Sequence, residues 1–86
     1  MTVILTRKVE KIISKLPADV QKRIVNYLSD IADLVDPRSR GKRLTGHLSG
    51  FWRYRVGNYR IICRIIDNEF IIVVIGIGHR RDVYDK

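Results

Sequence analysis

The spacing of apolar residues changes character at Gly50, and that change restricts the fold more than any other feature of the chain. Ahead of it they recur with helical spacing; beyond it they gather in short runs rich in β-branched and aromatic residues. Val9, Ile12, Ile13 and Leu16 form one apolar stripe with Arg7, Lys8, Lys11 and Lys15 off it, and Thr6 stands where an N-cap belongs. Pro17 and Asp19 then open a second helix, whose apolar face of Val20, Ile24, Tyr27, Leu28, Ile31, Leu34 and Val35 runs for roughly four turns. Asp36 and Pro37 stop it, and residues 38–43 make a polar, basic connection. Residues 51–56, 59–66 and 70–77 read as three strands, with Gly57-Asn58 and Asp67-Asn68 as the short links that close antiparallel hairpins. Val3 to Leu5 adds a brief strand at the start. The expected fold class is α+β, in the order β-α-α-β-β-β: an N-terminal helical hairpin packed on one face of a mostly antiparallel four-stranded sheet.

A chain of 86 residues has room for one core, so residues 1–86 are expected to be a single domain. With 45% hydrophobic and 30% charged residues it has the composition of a folded protein, not of a disordered one. Cys63 is the only cysteine, which excludes an internal disulfide, and its apolar neighbours make it a small core residue. The start is too short and too soon charged for a secretory signal, and residues 70–77 are too few to span a bilayer. A cytoplasmic protein with no membrane partner is expected. The formal charge is +8, and it is unevenly placed. Residues 1–36 hold six basic and five acidic side chains, whereas residues 37–86 hold eleven basic and four acidic. Such a block attracts polyanions through counterion release, and arginine offers phosphate a bidentate fork.

Strand alternation turns that charge count into a candidate site. Arg53 and Arg55 share a face opposite Trp52, Tyr54 and Val56, while Arg60 and Arg64 share one with Ile62, opposite Tyr59, Ile61, Cys63 and Ile65. Pairing through the short turn brings Arg53 or Arg55 within reach of Arg60, a repulsive arrangement that a polyanion would relieve. An exposed sheet face on which each arginine snorkels, or pairs with Asp67 or Glu69, would carry the same pattern.

Three segments also carry a family resemblance: Arg43-Leu44-Thr45-Gly46, the run from Phe51 through Arg53, Arg55 and Arg60 to Ile61, and Gly78-His79-Arg80-Arg81-Asp82-Val83-Tyr84. Together with the helical hairpin ahead of them, these resemble the RelE branch of the RelE/ParE toxin superfamily over essentially the whole chain. The resemblance implies the toxin of a type II toxin–antitoxin pair, a metal-independent and cofactor-free endoribonuclease that cleaves messenger RNA in the ribosomal A site. Its expected partners are a cognate antitoxin, the ribosome and messenger RNA. In that family the 2′-hydroxyl attacks the adjacent phosphate, which calls for a proton acceptor, cations on the developing charge and a donor to the leaving oxygen.

Carried over residue by residue, the resemblance has Arg60 clamp the scissile phosphate and Arg80 stabilise the transition state or assist the leaving group. It has Tyr84 stack a base or orient the nucleophile, with Arg53 and Arg55 holding the backbone. Lys42, Arg43, Arg64 and Arg81 complete the expected RNA-binding set. The best-studied pattern has lysines where Arg53 and Arg55 stand, and arginine does not give up its proton. His79, with an ordinary pKa of about 6.5, therefore becomes a candidate for proton transfer. Two other functions share the fold: a ParE-like inhibitor of DNA gyrase, and a non-catalytic RNA-binding or decayed toxin.

Overall fold

The computed structural model describes residues 1–79. In chain order the elements are β1 (Thr2–Leu5), α1 (Arg7–Ser14), α2 (Ala18–Ala32), β2 (Lys42–Arg43), β3 (Trp52–Val56), β4 (Tyr59–Ile66) and β5 (Ile71–His79). Single 3₁₀ turns fall at Pro37–Arg40, Gly46–Leu48 and Asp67–Glu69. The strands form one five-stranded sheet in the order β1-β5-β4-β3-β2, with β1 parallel to β5 and the remaining pairs antiparallel. The helical hairpin and the meander are as expected. The fifth strand is β2, where Lys42 and Arg43 of the basic connection pair with Arg53 and Trp52. Two residues are too few to show a period in the sequence.

Local chemistry sets the helix ends. The Thr6 side chain accepts from the Val9 amide at 3.3 Å, which starts α1 where the sequence suggests. α2 stops at Ala32, about a turn before the expected end, and Val35 is left fully exposed. Asp33 and Asp36 oppose the negative end of the helix dipole, and Pro37 disfavours helical backbone at Asp36. The Met1 ammonium group donates to the Ala32 carbonyl at 2.7 Å and supplies the cation that this end otherwise lacks. Phe70, expected to open the last strand, instead closes the Asp67–Glu69 turn with φ +56 and is exposed.

The hairpin covers one face of the sheet only. Val9 and Ile13 of α1 and Ile24, Leu28 and Ile31 of α2 meet Tyr54, Val56, Ile61, Cys63, Ile72, Val74 and Ile77 from β3, β4 and β5. Burying each such aliphatic side chain contributes about 1.5–3 kcal/mol, which is what holds so short a chain together. Cys63 belongs wholly to this core: burial pushes its thiol pKa up to about 12. Tyr54 is buried too, its ring against Tyr27 at 6.1 Å, and its hydroxyl donates to the Pro37 carbonyl at 2.7 Å. That bond anchors the basic connection to β3. Gly41 is required there, since a Cβ on it would lie 3.0 Å from the Tyr54 ring. In β5 a bulge between the Ile62/Gly76 and Cys63/Val74 pairs leaves Ile75 unmatched and reverses the alternation. Ile72 and Val74 face the helices before it, and Ile77 after it.

Candidate nucleic-acid interface

The register decides which cations share the face away from the helices. Residues opposite one another in a ladder project to the same side. One rung runs Lys42, Arg53, Ile62, Gly76, and the next runs Arg55, Arg60, Gly78. Arg55 and Arg60 are thus direct cross-strand partners, with Cβ atoms roughly 4.5–5.5 Å apart. The β5 neighbour of Arg60 is Gly78, so no β5 side chain flanks it on that side. Arg53 and Arg60 are half-buried and their Nε atoms are fully so, while Lys42, Arg55 and Arg64 are exposed. No acidic residue occupies these rungs.

The structure therefore brings Arg53, Arg55, Arg60 and Lys42 together. Arg64 lies on the same face but farther along β4, beside Val73. Arg43 goes elsewhere: it pairs with Trp52 across the ladder and lies 5.9 Å over that ring, on the opposite face from Arg53. His79 pairs with Tyr59, and their rings meet edge to face at 5.6 Å, on the side away from Arg60. The reversal of alternation at the β5 bulge puts it there. Arg80, Arg81 and Tyr84 lie outside the described residues.

The rim of the site is held by its turns. Gly57 and Asn58 close a two-residue hairpin with a positive φ at Gly57 alone, the pattern of a type II′ turn, and this turn sets the Arg55–Arg60 register. The Arg23 guanidinium from α2 lies against this turn; a Cβ on Gly57 would be 3.1 Å from its Nη2. At the other end Arg38 holds Asp67 by two bonds, Nη1 to Oδ1 at 2.9 Å and Nη2 to Oδ2 at 2.7 Å. This ties the basic connection to the β4–β5 turn. The paired guanidinium lowers the Asp67 pKa and the carboxylate raises that of Arg38. Arg38 also lies 5.8 Å over Trp52, which is therefore flanked by two guanidinium groups.

A family model described as the ParE toxin of type II toxin–antitoxin systems matches residues 3–84. The chain belongs to the RelE/ParE superfamily of type II toxins. Toxin RelG of Mycobacterium tuberculosis is 31% identical over 86 residues, 99% of this chain and 97% of that one. The RelBE2 toxin–antitoxin complex of the same organism gives a TM-score of 0.82 at 30% identity, covering 94% of this chain and 92% of that one. A variant of the Escherichia coli toxin RelE in the free state gives 0.77 at 20% identity, covering 95% and 85%, a likeness of fold alone. Among the described residues of this toxin no helix is long and apolar enough to cross a membrane.

Sequence reasoning missed three side chains of the toxin that border the cationic face. Tyr27 and Arg40 line a cavity of about 340 Å³ with Lys42, Arg53 and Arg55, and Arg23 reaches the hairpin turn. Tyr27 reads as a core position of α2 and is only half-buried, because β2 is too short to cover that corner. Burial raises its pKa while Arg40 works to lower it. Helical spacing could have placed Arg23 and Tyr27 one turn apart on the same side of α2, but not at the sheet edge.

Proposed function

We propose that this toxin is a ribosome-dependent endoribonuclease that inhibits translation, and that the side-by-side placement of Arg55 and Arg60 between Arg53 and Gly78 carries that reading. A one-signed face with no acidic residue in its rungs suits a phosphodiester backbone better than a protein of mixed charge. In the proposed reaction the 2′-oxygen bonds to phosphorus as its proton leaves, and the bond from phosphorus to the 5′-oxygen breaks. A 2′,3′-cyclic phosphate and a protonated 5′-hydroxyl result. Arg60 clamps the scissile phosphate and stabilises its developing charge, while Arg53, Arg55 and Lys42 hold the flanking backbone. Arg80 and Tyr84 are proposed to act on the leaving group and on the base or nucleophile, as the resemblance implies.

The proton acceptor is not one of these arginines. The ribosome is assigned the work of orienting the messenger for in-line attack, where positioning alone can supply a large share of the rate. The solved relatives include toxin–antitoxin complexes, and an antitoxin partner in the cytoplasm belongs to this proposal. The test is induced expression of wild type, Arg60→Ala and Arg80→Ala, with messenger 5′ ends mapped in translating cells. Codon-periodic cuts should fall by roughly 10²–10³-fold in Arg60→Ala, the loss typical of one preorganised donor. Growth arrest with intact messages and trapped DNA breaks would instead favour gyrase inhibition. No arrest at all would leave an RNA-binding or decayed toxin.

A further inference from the structure

The corner where β2 ends carries a second feature. Beyond Lys42 the edge of β3 loses its partner strand, and a cavity of about 340 Å³ opens there, lined by Tyr27, Arg40, Gly41, Lys42, Arg53 and Arg55. Among the described residues no acidic side chain lines it. Arg40, Lys42 and Arg55 make no ion pair with any described residue, and the Tyr27 hydroxyl makes no hydrogen bond there. The Tyr27 ring is held by its edge contact with Tyr54, so it borders the cavity as a fixed surface. The volume falls within the roughly 300–1,000 Å³ range of small-molecule sites, room for one nucleotide but not for a duplex. A neighbouring cleft of about 50 Å³ is lined by Arg55, Gly57, Asn58, Tyr59 and Arg60 and suits a phosphate alone. Arg55 lines both.

We infer that a single RNA strand passes from the Arg55–Arg60 cleft into the corner cavity, where the nucleotide next to the scissile phosphate stacks its base on Tyr27 and its phosphate meets Arg40 and Lys42. This rests on the reading that the cationic face takes RNA, and it adds a base-recognition surface from α2. Stacking tolerates any base, since each has a π face, and guanidinium groups around the ring favour the same geometry. Successive cations Arg53 and Arg55 stand roughly 7 Å apart along β3, a step comparable to that between neighbouring phosphates of a single strand.

The test is equilibrium binding of the purified toxin to a fluorescein-labelled single-stranded RNA hexamer at low salt, with an abasic site moved through the hexamer. Tyr27→Leu should weaken binding of the intact hexamer by roughly 5- to 100-fold, and Tyr27→Phe should stay near wild type. One abasic position should weaken wild type by a like factor and leave Tyr27→Leu unaffected, a coupling that a merely structural role does not produce. Should Tyr27→Leu melt early, exposed Arg40 carries the test: Arg40→Ala should lower the slope of log affinity on log salt by about 0.7. Unchanged affinity in Tyr27→Leu, unchanged slope in Arg40→Ala, equal binding of abasic and intact RNA, or no binding by wild type overturns the inference. Messenger cleavage that needs Arg60 but ignores Tyr27 sinks this inference alone. Tyr27-dependent binding without cleavage in cells sinks the nuclease and keeps it.

Discussion

The two faces of the sheet are made by the same strands and have almost nothing in common. Toward the helices β3 and β4 present Tyr54, Val56, Ile61 and Cys63, each no more than 8% exposed. Away from them the intervening positions are Arg53, Arg55, Arg60, Arg64 and the buried Ile62, so every charge among them is of one sign. An outward sheet face is ordinarily polar and of mixed charge, because like charges directly across a ladder repel. This toxin accepts that repulsion on one side and secures itself on the other. Because the side-chain period of a strand is two, each substitution on these strands addresses either stability or the cationic face, and the division can be tested.

The largest effect should come from the covered face. Ile72 is fully buried between the helices and β1 and β4, and Ile72→Ala should cost about 2–5 kcal/mol by lost transfer and residual cavity. A domain of this size has only about 5–15 kcal/mol in total, so urea unfolding should move to a much lower midpoint. Arg60→Ala, measured alongside, should move the midpoint far less than Ile72→Ala does while losing activity. A fall of similar size in both would mean that the faces are not independent.

Next in size is the link from the core to the basic connection. Tyr54→Phe keeps the ring against Tyr27 but removes the donor to the buried Pro37 carbonyl. Losing that bond should cost about 0.5–1.5 kcal/mol in thermal or urea unfolding. It should also loosen Arg40 and Lys42 relative to β3, so messenger cleavage should fall more than in a core variant of equal stability. Equal cleavage at matched stability would show that the connection does not position those cations.

The parts legible in the sequence were those with a repeating signal. Thr6 as cap, the stripes of α1 and α2, and the opposition of Arg53 and Arg55 to Tyr54 all follow from spacing, and the cross-strand approach of Arg55 to Arg60 follows from a two-residue turn. Three features had no such signal. Residues 71–78 are apolar or glycine throughout, so nothing marked the bulge that turns His79 toward Tyr59. Lys42 and Arg43 were one basic run in the sequence, and β2 sends them to opposite faces. Tyr27 sits on the apolar stripe of α2, and only the brevity of β2 makes it a border of the cationic corner.

The cationic face should respond in the reverse direction to the core. Arg55→Thr removes a direct like-charge pair with Arg60 and places a β-branched residue in a strand. Stability should rise by about 0.2–1 kcal/mol while RNA affinity falls. Added salt should narrow the stability gap, since screening relieves the same repulsion in wild type. If Arg55→Thr destabilises the toxin instead, the arginine stem packs as part of the fold and the two faces share the work of holding it.

The smallest effect belongs to the ion pair of Arg38 with Asp67. The bidentate bond holds the Asp67 pKa below its ordinary value, and Asp67 is exposed. A carboxylate depressed on folding contributes stability that is fully present above its unfolded pKa of about 3.9 and is lost as pH falls through the lower folded value. Asp67→Asn should therefore melt slightly below wild type at pH 6 to 7, and the two curves should converge as the pH drops below about 4. Exposure and screening keep the difference small. A gap that persists at low pH would assign the loss to the turn itself and not to the charge. A gap that is absent at neutral pH would mean that the ion pair adds nothing to the hold that Tyr54 and β2 already have on the connection.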